Sequence, residues 1–437
     1  MRLLHTTNIR QQEFSDGEIP KYAILSHRWV ENEEISYQDF KEGRLLDRSG
    51  WAKIQQSCKI AKGLNHDWIW IDTCCIDKSS STELSEAINS MFYWYRNAEI
   101  CLTYLCDVRK DSDPARIFKI KGSSEDSEWF RRGWTLQELL APQQLSFYDL
   151  EWNYLGTRSE LVNELQTVTG IDNKYLQGGT TFRSACIATR MSWMANRTTK
   201  RKEDLAYSLL GIFNLAMPIS YSQGEREHAF ERLQKILLEK SYDESLFAWR
   251  MPHDFIEAKS QSWELDGWCR DEWGLLAPHP CCFAESQHFT LVGEAIGRFG
   301  PQDSLAITKE SVNLPPTPLI FKKRVALPLW TIPGVLVGHT IAAVIMRQLV
   351  KHEGLRNIYP LNCWQRGEDG KLHRVQLYLR PGRGGYRRCR SAELRLDEVP
   401  RSVRNMMRYA KPMEQVSIYR LLMVKVLAFR VLQPPPA

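Results

Sequence analysis

Between residues 21 and 105, strand-like and helix-like runs alternate, and that alternation restricts the fold more than any other feature of the chain. "KYAILSH" is a short apolar strand that ends in polar groups. "WAKIQQSCKIAKGLN" places Trp51, Ile54, Cys58 and Ala61 at helical spacing. "DWIWID" is a second strand, ending at Asp72. A Ser/Thr run over 79–82 then offers N-caps, with Glu83 and Glu86 in the first turn of a helix whose stripe is Leu84, Ile88, Met91 and Tyr95. "EICLTYL" is a third strand. Strands separated by helices require crossover connections, so the expected class is α/β with a parallel sheet flanked by helices.

Downstream, residues 110–128 are polar and bear Gly and Ser, which predicts a loop. "WFRRGWTLQELLAP" reads as a short helix stopped by Pro142, and "QLSFYD" as another strand. Residues 157–240 look helical, with Phe230, Leu233 and Leu237 on one amphipathic face. From about residue 245 the pattern changes to short apolar runs broken by Pro and Gly: "SLFAW", "WGLLAP", "HFTLVG", "LAIT", "LIFKKRVALPLW", "RVQLYLR" and "LLMVKVLAFRVL". These fit strands better than helices. The expected organisation is an α/β domain over 1–150, a helical extension over 151–244 and a mostly β domain over 245–437. Residues 327–346 form an apolar run of 20, long enough to span a bilayer. Pro328, Pro333, Gly334, Gly338 and His339 interrupt it, so two buried strands joined near Pro333–Gly334 are expected and no transmembrane segment.

The chain has 11 Cys, an odd number, and starts "MRLLHTTNIR" with no apolar signal segment. A reducing, cytoplasmic location is expected. No C-x2-C pair faces a second one, which argues against structural zinc. The net charge of +6 is uneven: residues 351–437 hold 18 Lys/Arg against 7 Asp/Glu, or +11, leaving −5 for the first 350. Such an end is either a solvated basic surface or a region that meets phosphate or anionic lipid.

In an open parallel sheet, ligands bind beyond the carboxyl ends of the strands. Three polar clusters fall there. Ser26, His27, Arg28 and Trp29 follow the first strand, where a plain turn would use Gly, Asn or Pro. Asp72 to Asp77, "DTCCID", follows the second. The third is "RRGWTLQE", in which Arg131, Trp134 and Glu138 share one face of a continuous helix. An indole can stack a flat heterocycle, a guanidinium can pair a phosphate, and a carboxylate can stabilise a cationic sugar-like transition state. Surface Arg–Glu pairing around a buried Trp explains the same spacing, and both readings stand. Similarly, His27 reads as a buried hydrogen-bonded corner or as a partner for Ser26, Cys74 or Cys75. No G-x-S-x-G elbow supports a nucleophile. Asp72 and Asp77, with a Cys pair between them, make a poor hard-cation site and suit helix capping or pairing with Arg28 better. There is no Walker A sequence and no G-x-G-x-x-G after a strand. "PGRGGYRRCR" mixes Gly, Arg and Tyr without a recognisable nucleic-acid fold around it.

In order along the chain, "MRLLHT", "YAILSHRW", "KIQQSCKIAKGLNHDWIWIDTCCIDKSSSTELSEAINSMFYWYRNAEICLTYLCDV" and "WFRRGWTLQELLAP" resemble the successive motifs of the heterokaryon-incompatibility (HET) domain family of filamentous fungi. The resemblance continues through "MSWMANRTTKRKEDLAYSLLGIFNLAMPISY", "AFERLQKI" and "DESLFAW" to "GLLAPHPCCF", covering roughly residues 1–283, and is similar to the vegetative-incompatibility subgroup with a helical extension. Val30 stands where a Gly is frequent, and "SYSQGEREHAF" replaces the usual Tyr-Gly-Glu-Gly run.

The resemblance implies a cytoplasmic effector of fungal allorecognition and programmed cell death. It also implies a distant likeness to Toll/interleukin-1 receptor (TIR) domains, flavodoxin-like modules of which several cleave NAD. Trp134 and Glu138 match their Trp-x-x-x-Glu spacing. On that basis Glu138 is the expected catalytic residue, and Ser26, His27, Arg28, Trp29, Asp72, Arg132 and Trp134 are expected to bind substrate. No cofactor is implied; NAD would be substrate. A signalling or sensor protein acting in trans is the implied trigger, together with self-association and no sequence-specific nucleic acid. A non-catalytic module that signals by assembly is the competing expectation.

Overall fold

A computed structural model describes residues 1–44, 49–111, 113–178, 181–222, 228–241, 243–252 and 273–291, and the strands of the C-terminal part given below. The apolar run over 327–346 lies outside the described residues. The chain divides into two compact units: Met1–Leu237 with Pro278–Gln287, and Leu238–Ala277 with His288–Ala437.

The first unit opens with a hairpin, β1 (Arg2–His5) and β2 (Gln11–Glu13), which the sequence reading did not anticipate. There follow β3 (Ala23–His27), α1 (Tyr37–Lys41), α2 (Ser49–Gly63), β4 (Trp68–Trp70), α3 (Ser81–Asn97) and β5 (Ile100–Tyr104). Next are α4 (Thr135–Leu140), β6 (Leu145–Tyr148) and β7 (Tyr154–Thr157). The seven strands form one sheet in the order β2-β1-β4-β3-β5-β6-β7. Its centre, β4-β3-β5-β6, is parallel throughout. Both flanks are antiparallel, β1 against β4 and β7 against β6. Numbered among themselves, the parallel strands run 2-1-3-4, the doubly wound order of flavodoxin-like sheets. The α/β expectation therefore holds, and the switch point falls between β3 and β5.

The local sequence explains these elements. Every residue of β3 is buried, as expected of a central parallel strand covered on both faces. Ser80 caps α3, its hydroxyl accepting from the Glu83 amide (3.3 Å). The α3 stripe that faces the core is Ala87, Ile88, Met91, Phe92 and Tyr95, while Leu84 stays half-exposed. In α2 the buried side includes Lys53 as well as Ile54, Cys58 and Ala61. Burial of an ammonium runs against helical patterning, and an ion pair described below supplies the reason.

One expected helix is in fact two pieces. Glu128–Arg131 is a 3-10 turn, the chain is extended at Arg132, and α4 starts only at Thr135. Arg131 is exposed and pairs with Glu125 and Glu128. It therefore shares no helix face with Glu138. The break is caused by backbone pairing with a later segment: Thr198 N donates to Arg131 O (2.7 Å) and Gly133 N to Thr198 O (2.9 Å). The 151–244 stretch supplies short helices, α5 (Val162–Thr169), α6 (Ile187–Ser192), α7 (Asp204–Tyr207), α8 (Leu210–Phe213) and α9 (Ala229–Lys240). The packing of α8 on α3 is close enough that a β-carbon on Gly211 would lie 2.1 Å from that of Phe92.

In the second unit β8 (Phe289–Leu291), β9 (Ala306–Ile307), β10 (Ser311–Leu314), β11 (Asn357–Arg366), β12 (Leu372–Gly382), β13 (Gly385–Cys389), β14 (Arg395–Glu398) and β15 (Phe429–Leu432) form a mostly antiparallel sheet. The mostly β expectation holds there, with two exceptions. "SLFAW" forms a 3-10 turn over Glu244–Phe247, capped by Asp243. "WGLLAP" is a series of bends in which Leu275 O accepts from Trp249 Nε1 (2.7 Å) and Leu276 O from Trp273 Nε1 (3.1 Å). In both, short-range capping and indole bonds satisfy the polar backbone that a strand would otherwise pair.

Candidate active site at the sheet switch point

Residues 112 positions apart meet at the carboxyl end of β3. Ser26 Oγ donates to Glu138 Oε2 at 2.5 Å and accepts from Trp129 Nε1 at 2.9 Å. Ser26 lies in register with Thr103 of β5, so the contact sits at the switch point. Glu138 is only 6% exposed. Tyr95 of α3 donates to Leu25 O (3.0 Å), and its phenol also contacts the Glu138 carboxyl.

Burial pushes the Glu138 carboxyl up to about 8, and the nearby Asp72 carboxylate pushes the same way. The bonds from Ser26 and Tyr95 and the positive Arg132 oppose the rise without cancelling it. At neutral pH the buried carboxyl is therefore mostly protonated. Burial, followed by the Glu138 charge, also drives the Tyr95 hydroxyl well above the usual phenol range.

A second polar group adjoins it. His27, with a side chain 1% exposed, places Nε2 3.5 Å from Glu34 Oε2 and 3.8 Å from Asp72 Oδ1. Neither ring nitrogen has a hydrogen-bond partner among the described residues. Lys53 Nζ holds both Glu34 oxygens at 2.6 Å, which explains the buried ammonium of α2. Burial would raise the Glu34 carboxyl, yet His27 and Lys53 outweigh it and hold Glu34 down at about 2. Trp29 is 39% exposed; its indole N–H donates to Asp72 Oδ2 (2.8 Å), and the Lys78 ammonium sits 3.5 Å over its ring.

The structure thus gathers Ser26, His27, Trp29, Asp72 and Glu138 around the ends of β3 and β4, with Arg132 acting on Glu138 through its charge. Arg28 sits at the same strand end, its guanidinium 3.9 Å from the Cys106 sulfur and not on Asp72. Trp134 does not join them: its indole acts on the Asp204 carboxyl, which it helps hold down against burial. Trp129, which the spacing argument passed over, is the indole that reaches Ser26. Tyr95 was legible only as a core position, and Lys53 not at all. Burial raises the Cys74 thiol well above its ordinary range, which removes it as a thiolate partner for His27. Asp77 accepts from Ser79 and Gln38 at the start of α3. Among the described residues no cluster of three His, Cys, Asp or Glu is placed to hold a metal ion.

Comparison with known proteins gives two matches. The family model described as heterokaryon incompatibility protein (HET) matches residues 22–124. Vegetative incompatibility protein HET-E-1 of Podospora anserina is 43% identical over 243 residues, which are 54% of this chain and 18% of that protein. The chain thus spans less than a fifth of the curated relative it matches. No solved structure matches.

Proposed function

We propose that this chain, whose residues 22–124 match the heterokaryon-incompatibility (HET) family model, acts in fungal vegetative incompatibility by cleaving NAD at the Ser26–Glu138 site. The observation that carries the reading is the convergence of Ser26 and Glu138 at 2.5 Å on the switch point of a doubly wound sheet, where such folds bind nucleotides. In the reaction, water adds to the anomeric carbon of the ribose. The glycosidic bond breaks with its electron pair going to the pyridinium nitrogen, so neutral nicotinamide leaves, and a proton is released with ADP-ribose.

Glu138 would accept hydrogen bonds from the ribose hydroxyls and stabilise the oxocarbenium-like state. A buried neutral acid ionises when a cationic ring arrives beside it, because opposite charge favours the carboxylate. Ser26 and Tyr95 orient it. The half-exposed face of Trp29 offers a stacking surface, and Arg28 and Arg132 would supply cations for a pyrophosphate. A TIR-like site, a cytoplasmic location and activation by a partner in trans belong to the same proposal.

One observation favours a second reading. Glu138 is nearly sealed and accepts from Ser26 Oγ, as in a structural carboxyl. On that reading the domain signals by self-assembly. Incubating the purified chain with NAD and measuring free nicotinamide decides between them. We expect release by the wild type and a loss of about 10²–10³-fold in Glu138→Gln, the usual cost of removing one such electrostatic partner. No nicotinamide from protein that still kills cells, or undiminished release by the folded Gln variant, overturns the enzymatic reading.

A further inference from the structure

The helix that carries Glu138 has six residues, too few to hold its own position, and two buried arginines from beyond residue 150 hold it. At its far end Arg158 donates to Leu139 O (2.6 Å), Pro142 O (2.8 Å) and Gln143 O (3.0 Å). At its start Arg197 donates through Nη1 to Arg132 O (2.8 Å) and Thr135 Oγ1 (2.9 Å), and through Nε to Trp193 O (3.1 Å). Thr135 in turn donates to Trp129 O (2.6 Å), the residue whose indole bonds Ser26. Thr135 and Glu138 are three positions apart in α4, hence neighbours on its surface. Next to Arg197, Thr198 makes the two backbone bonds that break the chain at Arg132–Gly133.

A guanidinium at 5% exposure, bonded to two carbonyls and a hydroxyl and, among the described residues, to no carboxylate in hydrogen-bond contact, needs a reason to be charged. The acid one turn from its hydroxyl partner supplies one. Burial lowers Arg197 to about 9 while the Glu138 charge holds it up. Arg158 is equally buried and is lowered likewise, but the charge that acts on it is that of Cys101. The two arginines therefore form a natural comparison: both clamp α4, and one also faces Glu138.

We propose that Arg197 is a positioning residue for Glu138, fixing the turn from which α4 starts and supplying the buried positive charge that lets the carboxyl ionise. The proposal rests on Glu138 as the working carboxyl of the preceding reading. It makes the segment around residues 193–204, outside the family-matched 22–124, part of the site. The other charged or titratable groups facing Glu138 are Asp72, Tyr95, Cys101 and Arg132, and all of these stay constant in the test below.

The test is a set of urea-unfolding curves from pH 5 to 10 on the full chain, each variant paired with its Glu138→Gln counterpart. In the wild type the stability difference between the pair rises with pH and levels off where Glu138 ionises. In Arg197→Gln, which keeps donors but loses charge, we expect levelling about one pH unit higher, as loss of an opposite charge requires. Arg197→Lys should level within half a unit of the wild type, while Arg158→Met loses stability with no displacement. If Arg197→Gln does not fold, Arg197→Lys, which keeps the charge, decides: levelling within half a unit of the wild type upholds the charge role, and levelling about one unit higher overturns it. Equal levelling in Arg197→Gln and Arg158→Met also overturns the proposal. Because stability is read here and nicotinamide in the earlier assay, loss of either result leaves the other standing.

Discussion

Replacing Glu138 by Gln should make the first unit less stable in acid and more stable in mild alkali. In the folded chain the carboxyl is raised from its ordinary 4.5 to about 8. Its contribution is fully present below the unfolded value near 4.5 and is lost as pH rises through about 8. At about 1.4 kcal/mol per pH unit the full loss approaches about 5 kcal/mol, and partial relaxation around the charge reduces it to roughly 2–4 kcal/mol. Gln retains an acceptor for Ser26 Oγ but brings a second N–H into a buried place, a cost of about 1–2 kcal/mol at every pH. The two terms cross between pH 6 and 7. Thermal melts followed by tryptophan fluorescence should then show the variant lower by a few degrees at pH 5. At pH 9 it should be higher by roughly 3–6 °C, from a net of about 1.5 kcal/mol at about 2–4 °C per kcal/mol for a unit of this size. All other titrating groups cancel in the difference. Parallel melting curves for the two proteins from pH 5 to 9 would refute the reasoning, because they would mean that Glu138 is ionised at little cost in the fold.

Two further predictions follow from the packing around the site. Glu34 is held at about 2, below its ordinary 4.5, so its share of stability is complete above about pH 4.5 and is lost as pH falls toward 2. Lys53→Met strips the partner from that buried carboxylate and should cost roughly 3 kcal/mol at pH 7 but much less at pH 3, measured by urea unfolding; an equal loss at both pH values would contradict the pairing. Gly211→Ala drives a methyl to within 2.1 Å of Phe92 and should cost about 2–3 kcal/mol, read as a fall in melting temperature, whereas Gly63→Ala meets no atom within 4 Å and should not.

The Glu138 melts and the nicotinamide assay bear on different links of one chain of causes. The first asks what burial does to a carboxyl, and the second what that carboxyl does to a substrate. A folded Glu138→Gln protein with the predicted pH profile and no effect on nicotinamide release would place the residue in the framework of the fold. Its site would then be a rigid corner for assembly.

Local sequence decided which segments became strands and helices in the first unit. Continuous apolar runs fit strands buried on both faces, Ser80 caps α3, and helix–strand alternation demands parallel crossovers; each is a property of neighbouring residues. It also brought Ser26 to notice, as a hydroxyl ending an apolar strand, whereas Glu138 came to notice through its spacing from Arg131 and Trp134 and through the family resemblance. Tertiary structure alone decided their partners. That Trp129 and not Trp134 reaches Ser26 depends on the turn at Arg132–Gly133, and that turn is set by backbone bonds to Thr198, far along the chain. Lys53 is buried because Glu34, 19 positions earlier, meets it with both carboxylate oxygens, and Arg197 clamps α4 from 62 positions beyond Thr135. Periodicity records which side of an element avoids water, whereas the identity of the group opposite is fixed only when strand order brings distant segments together.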